Sequence, residues 1–214
     1  MKLLLTSAGT NVRNEIIKIL PKPANELRLA NIITASKPEL NKDYALRDRE
    51  KLISLGFDVE DVDIEGKNED ELMRILKYKD IIYVEGGNTF YLLKYVKLGG
   101  FDKVIKELLN QGKIYIGVSA GSYIACPTIE QATWKHQDRN HFELTNLSAL
   151  NLVPFLISAH FKEKNRGLIE KAVKTTKYPV VALYNSQAIL VEDGKWKVVG
   201  EGRREFFNNF NETF

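Results

Sequence analysis

The chain has one cysteine in 214 residues, Cys126. A lone thiol excludes an internal disulfide, and a reducing, cytoplasmic compartment is the expectation that follows. Histidine is nearly as scarce, with His136, His141 and His160 the only three. One cysteine and three histidines give no ligand spacing, so no metal is expected. Long apolar runs are missing too: Met1-Lys2-Leu3-Leu4-Leu5 passes at once into Thr6-Ser7-Ala8-Gly9. That run is too short for a signal-peptide core or a membrane span and reads as a first strand. There is no clustered basic stripe. The 31 Lys and Arg and 28 Asp and Glu alternate along the chain, and the nearest approach to a basic cluster, Lys162, Lys164 and Arg166, is short. Neither nucleic acid nor membrane is therefore an expected partner. Repeats, low-complexity stretches and a Pro- or Gly-rich linker are absent, so residues 1–214 are expected to form one domain.

What is present is an alternation of strand-length apolar runs with helical patterns. Strands are expected at residues 2–5, 27–33, 57–62, 80–84 and 113–118, with helices at 11–20, 44–55, 69–76, 89–98 and 101–110. Such alternation implies an α/β fold with a mostly parallel, doubly wound sheet covered by helices on both faces. Ligands then bind at the carboxyl ends of the strands, so residues just after strands are the ones to inspect. Residues 130–150 have no clear periodicity and read as a long polar excursion containing His136, Asp138 and His141. Beyond it lie an expected strand at 153–160, a helix at 168–174, and strands at 180–184, 188–191 and 196–199, the last two joined through the turn signal Glu192-Asp193-Gly194. The tail, 206–214, carries four phenylalanines. Packing against the domain is the plainer reading of these rings, and burial between two copies, a homodimer, is the alternative.

Three places carry chemistry. Gly117-Val118-Ser119-Ala120-Gly121 has the Gly-x-Ser-x-Gly pattern of a nucleophile elbow, and it follows an expected strand and precedes an apolar helix. A serine squeezed between strand and helix needs small neighbours, and the turn lifts its hydroxyl clear of the sheet. Glu85-Gly86-Gly87-Asn88-Thr89-Phe90 follows the buried strand 80–84, where Asn88 alone would make a plain helix cap. The paired glycines also put backbone N–H groups beside Ser119, so Gly87 and Ala120 are the candidate oxyanion donors. His160 ends an apolar run, Phe155-Leu156-Ile157-Ser158-Ala159, and is the best-placed base for Ser119, since His136 and His141 fall in the irregular stretch. Cys126, in an apolar stretch past Ser119, reads as a buried, inert thiol.

Together, Gly86-Gly87-Asn88-Thr89-Phe90 with Leu92-Leu93, the elbow with Ala125-Cys126-Pro127-Thr128-Ile129, and Ala159-His160-Phe161 resemble the peptidase E (aspartyl dipeptidase) family of serine peptidases. The resemblance runs in the same order over nearly the whole chain. It implies a fold related to class I glutamine amidotransferases, with serine in place of their cysteine. It also implies cofactor-independent hydrolysis of short peptides, typically with an N-terminal aspartyl residue, through an acyl-enzyme on Ser119. The family sets a carboxylate behind its histidine. Here Leu183-Tyr184-Asn185-Ser186 puts Asn185 where a glutamate is expected, and Asp138 lies in the other region that could supply the group. The third member stays open between Asn185 and Asp138. Two other readings follow from the missing carboxylate and from the loop: a non-catalytic sensor or binding protein, or an amidase or esterase with a different substrate.

Overall fold

The structure is a computed structural model that describes residues 1–135 and 138–214, so His136 lies outside the described residues. Among the described residues ten strands and seven α-helices follow one another: β1 (Lys2–Thr6), α1 (Arg13–Lys18), β2 (Arg28–Ile32), α2 (Asp43–Ser54), β3 (Asp58–Val62), α3 (Glu69–Leu76), β4 (Ile81–Val84), α4 (Thr89–Gly99), α5 (Phe101–Asn110), β5 (Ile114–Val118), α6 (Ala120–Ala125), β6 (Leu156–Ser158), α7 (Arg166–Ala172), β7 (Val180–Ala182), β8 (Gln187–Glu192), β9 (Lys195–Gly200) and β10 (Glu205–Phe207). Seven strands form one sheet in the order β3-β2-β4-β5-β1-β8-β9. The run from β3 to β1 is parallel, and the β8–β9 hairpin is added antiparallel beside β1.

The sheet is buried on both faces, which is why β4 and β5 are continuous apolar runs with every residue inside. Side chains alternate across β1: Leu4 faces a core with Ile16 of α1 and Leu52 of α2. Leu3 and Leu5 face the other core, with α3, α4, α5 and α6 packed against them through Leu72, Leu92, Ile105 and Ile124. The edge strand β3 is Asp-Val-Glu-Asp-Val, and its charges discourage pairing with another sheet. At the N-terminus of α3, Asn68 and Glu71 form a reciprocal capping box.

The structure differs from the expectation of one sheet. β6, β7 and β10 form a separate three-stranded sheet in the order β10-β7-β6, whose inner residues, Leu156, Ile157, Val180 and Val181, join the larger core. His160 therefore comes from the second sheet, not from a carboxyl end of the first. The strand expected over 153–160 is confined to Leu156–Ser158, because Pro154 precedes it and the chain leaves it at His160 with φ 56°. The expected helix over 11–20 opens as a 3₁₀ turn, Gly9–Val12, before α1. The polar excursion contains a 3₁₀ turn at Glu130–Thr133 and is closed at its base by a bridge between Thr128 and Ser148. In the tail, Phe210 is buried against Phe155, while Phe206 and Phe214 remain exposed.

Close backbone packing sets one stability prediction. A Cβ on Gly121 would stand 2.1 Å from the Val84 carbonyl oxygen, so α6 could not lie against β4. Gly121→Ala should lower unfolding stability by about 2–3 kcal/mol. Gly167→Ala, in α7 with nothing within 4 Å, should raise it by about 0.5–1 kcal/mol. Urea midpoints at constant slope test both, and equal effects at the two positions would contradict the packing argument.

Candidate active site

The carboxyl ends of β4 and β5 are neighbours in the parallel sheet, with Val84 in register with Gly117. β5 ends directly on Ser119, whose backbone is held at φ 46°, ψ −99° before α6 begins. This is a rare conformation for a residue with a Cβ. The two flanking glycines make it sterically allowed. A Cβ on Gly117 would lie 2.7 Å from the Gly121 backbone, and one on Gly121 would strike Val84. The turn is pinned by Ser119 N–H donating to the Thr6 carbonyl at 3.1 Å, and by Ser122 Oγ donating to the Thr6 and Gly117 carbonyls.

Four of the six site residues singled out in the sequence converge around the serine side chain and its backbone, and a fifth stands behind the histidine. His160 Nε2 is 3.0 Å from Ser119 Oγ, and His160 Nδ1 is 2.8 Å from Asn185 Oδ1. An amide oxygen accepts, so Nδ1 carries the proton and Nε2 presents its lone pair to the serine. Ala120 follows Ser119 in the turn. Gly87, at φ 138°, is fixed by its contact with the Ala35 carbonyl, which a Cβ would approach to 2.2 Å. Neither the Gly87 nor the Ala120 N–H has a hydrogen-bond partner among the described residues. Asn88 does cap α4, accepting from Tyr91 N–H at 2.9 Å, and Gly86 and Gly87 before it line the cavity.

Asp138 is not brought to the histidine. Its Oδ2 accepts from Thr89 N–H at 2.9 Å, at the start of α4, and burial is the main cause raising its pKa. The carboxyl nevertheless lines the same cavity. Cys126 is fully buried, and burial pushes its thiol up to about 12, as an inert core residue requires.

Ser7 was not singled out in the sequence, although it follows β1 and so occupies the kind of position where functional residues gather. It is fully buried and accepts from His160 N–H at 2.7 Å. Its own hydroxyl lies 3.2 Å from the Leu183 carbonyl and 3.3 Å from Asn185 Oδ1, two acceptors sharing its one proton. The first sheet thereby holds both the histidine backbone and the amide oxygen behind the ring. Lys135 was also missed. Its Nζ donates to the Ala159 carbonyl, and burial lowers its pKa to about 8.

These groups open onto a cavity of about 610 Å³, a size suited to a small ligand. Ala8, Tyr44, Asp48, Glu85, Gly86 and Asn185 line it beside Ser119 and His160. Among the described residues no group of three or more His, Cys, Asp or Glu is placed to hold a metal, and no helix is long and apolar enough to cross a membrane.

Comparison with known proteins gives a consistent picture. The sequence profile described as Peptidase family S51 matches residues 3–199. An uncharacterized peptidase of Listeria monocytogenes is 35% identical over 194 residues, spanning 88% of this chain and 87% of its own. The Peptidase E of a Nostoc species is 27% identical over 218 residues, spanning 93% and 86%. A solved Listeria monocytogenes structure carrying a peptidase E designation aligns with TM-score 0.83 at 31% identity, over 94% of this chain and 98% of that one.

The environment of the imidazole predicts its titration. Burial lowers the His160 pKa from its ordinary 6.5, opposed by the Asn185 hydrogen bond and reinforced by the positive charges of Lys135 and Lys162. The ring is thus expected to be neutral down to a pH below 6.5, with an NMR titration midpoint under that value. Asn185→Asp supplies a counter-charge to the imidazolium and should move the midpoint upward. A wild-type midpoint above 6.5, or a downward move in the variant, would contradict this electrostatic reading.

Proposed function

This chain belongs to peptidase family S51, and from that premise we propose that it is a serine peptidase hydrolysing short peptides through an acyl-enzyme on Ser119. The observation that carries the reading is the continuous line from Ser119 Oγ to His160 Nε2 and from His160 Nδ1 to Asn185 Oδ1. His160 takes the proton of Ser119 as Oγ attacks the peptide carbonyl carbon. The oxyanion formed accepts hydrogen bonds from the N–H groups of Gly87 and Ala120, both of which lack other partners among the described residues. Collapse breaks the carbon–nitrogen bond, with His160 returning the proton to the departing amine. Water, activated by the same imidazole, then releases the acid and restores the serine.

Asn185 fills the third position as a neutral residue that orients the ring. An amide can turn its N–H₂ toward the histidine and impose the wrong tautomer, and in the worked case of trypsin an Asp-to-Asn change lowers kcat by about 10⁴. The Ser7 hydroxyl, 3.3 Å from Asn185 Oδ1, supports the oxygen-toward-ring orientation when it gives its one proton to the amide rather than to the Leu183 carbonyl at 3.2 Å. Orientation is kept, and charge stabilisation of the imidazolium is absent. Asp138, engaged with Thr89, is not the third member in this reading.

N-terminal aspartyl dipeptides are the substrates we propose, with Arg47 and Lys51 the cavity-lining groups whose charge suits an aspartyl side chain. The larger core joins both sheets, which supports residues 1–214 acting as one domain. The enzyme is proposed to act in the cytoplasm, and no dimer is needed to complete the site.

Ser119→Ala and His160→Ala should each lower kcat on an aspartyl dipeptide by about 10⁴ or more, with the double variant little worse, since parts of one catalytic unit are non-additive. Additive losses would place His160 outside the serine's unit. Asn185→Ala should lower kcat and Asn185→Asp should raise it, while Asp138→Asn leaves the shape of the pH profile unchanged. A collapse of kcat in Asp138→Asn, with Asn185 variants unaffected, would move the third position to Asp138.

A further inference from the structure

The cavity beside Ser119 has an acidic floor whose charge the hydrolytic mechanism does not use. Strand periodicity puts Glu85 on the same sheet face as Tyr83, the face covered by α2, and α2 contributes Tyr44 and Asp48 to the same wall. Asp48 is anchored by three donors. Its Oδ1 accepts from Thr10 N–H at 2.9 Å and from the Thr10 hydroxyl, and its Oδ2 accepts from the Tyr83 hydroxyl. Gly9 makes that approach feasible, because a Cβ there would overlap the Asp48 carboxylate.

Glu85 differs from Asp48 in being incompletely satisfied. The residue is 1% exposed, Oε2 accepts from Gly86 N–H at 3.3 Å, and Oε1 is buried with no partner among the described residues. A buried carboxyl oxygen without a donor is unfavourable unless something completes it. Desolvation and then the charge of Asp48 hold the Glu85 carboxyl well above the usual carboxylate range. What this pair lacks is a cationic hydrogen-bond donor, and an ammonium group supplies both the charge and the protons. Arg47 and Lys51, cations that also line the cavity, are exposed on α2, and no ion pair among the described residues joins either to Glu85 or Asp48.

We propose that Glu85, with Asp48 beside it, forms a subsite for an ammonium group of the substrate, adjoining Ser119. The position suits that role: Gly86, which donates to Glu85, lies against Ser119, and a Cβ on it would be 3.5 Å from the Ser119 Cβ. In a peptide cleaved after its first residue, the α-ammonium is two bonds from the carbonyl carbon under attack. A lysyl side chain in the first residue is the other source of the same chemistry. The inference rests on the serine-peptidase reading for its substrate class but not for its test.

Binding to the Ser119→Ala protein, measured by calorimetry, needs no turnover. Alanyl-alanine should bind about tenfold or more tightly than N-acetyl-alanyl-alanine, and a further Glu85→Gln change should abolish that preference. If N-acetyl-lysyl-alanine recovers the affinity, the subsite takes the side-chain ammonium; if it does not, it takes the α-ammonium. Equal or undetectable binding of all three peptides, or a preference that survives Glu85→Gln, overturns the proposal. Should Glu85→Gln fail to fold, competition in the wild-type protein decides the same point. Alaninamide should inhibit more strongly than propionamide, and equal inhibition overturns the proposal. Failure of wild-type Ser119 to react with a fluorophosphonate would count against the serine-peptidase reading alone.

Discussion

The backbone of Ser119 sits at φ 46°, ψ −99°, and the surrounding structure is arranged so that it cannot relax. Thr6 and Gly117 carbonyls hold the turn from below through Ser119 N–H and the Ser122 hydroxyl, while Gly117 and Gly121 let β4, β5 and α6 approach to backbone contact. Strain of this kind, typically about 1–3 kcal/mol, persists only where packing over-determines it. Its return is directional: the hydroxyl leaves the sheet toward the cavity, and the N–H of Ala120 is left without a partner among the described residues.

A second constraint is that the site spans two sheets. Ser119, Gly87 and Ser7 follow strands of the seven-stranded sheet, whereas His160 and Asn185 follow strands of the three-stranded one. His160 is itself in a left-handed conformation, φ 56°, so both members of the central hydrogen bond are held in unusual backbone states. Ser7 spans the seam. One hydroxyl receives the His160 N–H and faces the Leu183 carbonyl and the Asn185 amide oxygen, so a small buried polar residue fixes the ring's backbone and its distal partner together. In the proposed mechanism Asn185 takes the position where the resemblance drawn from the sequence implies a carboxylate. Ser7 contacts the backbone of His160 and faces the amide oxygen, and the lowering of the half-buried imidazole's pKa favours the neutral ring.

Much of this was legible in the sequence, and the reasons are physical. The elbow and the Glu85-Gly86-Gly87 loop could be read because glycines at fixed offsets answer a steric need that few other residues can meet. β4 and β5 could be read because full burial leaves continuous apolar runs. The second sheet could not, since β6, β7 and β10 have three residues each and their pairing joins segments far apart in the chain. Ser7 carries no local signature, and the glycines after Glu85 mark its loop without marking the glutamate's own burial. A serine after a strand is common, and a glutamate is ordinarily a surface residue, so only the fold reveals that Ser7 bridges two sheets and that Glu85 is enclosed.

The central claim is covalent chemistry at one atom, Ser119 Oγ, and it can be tested on the unmodified enzyme. Wild-type protein turning over an aminoacyl ester is quenched in acid, digested and mapped by mass spectrometry. The account predicts an acyl adduct on the peptide containing Ser119, accumulating in a burst with the first turnover. An adduct on Cys126, or steady turnover with no acyl adduct on Ser119 at any quench time, would contradict it.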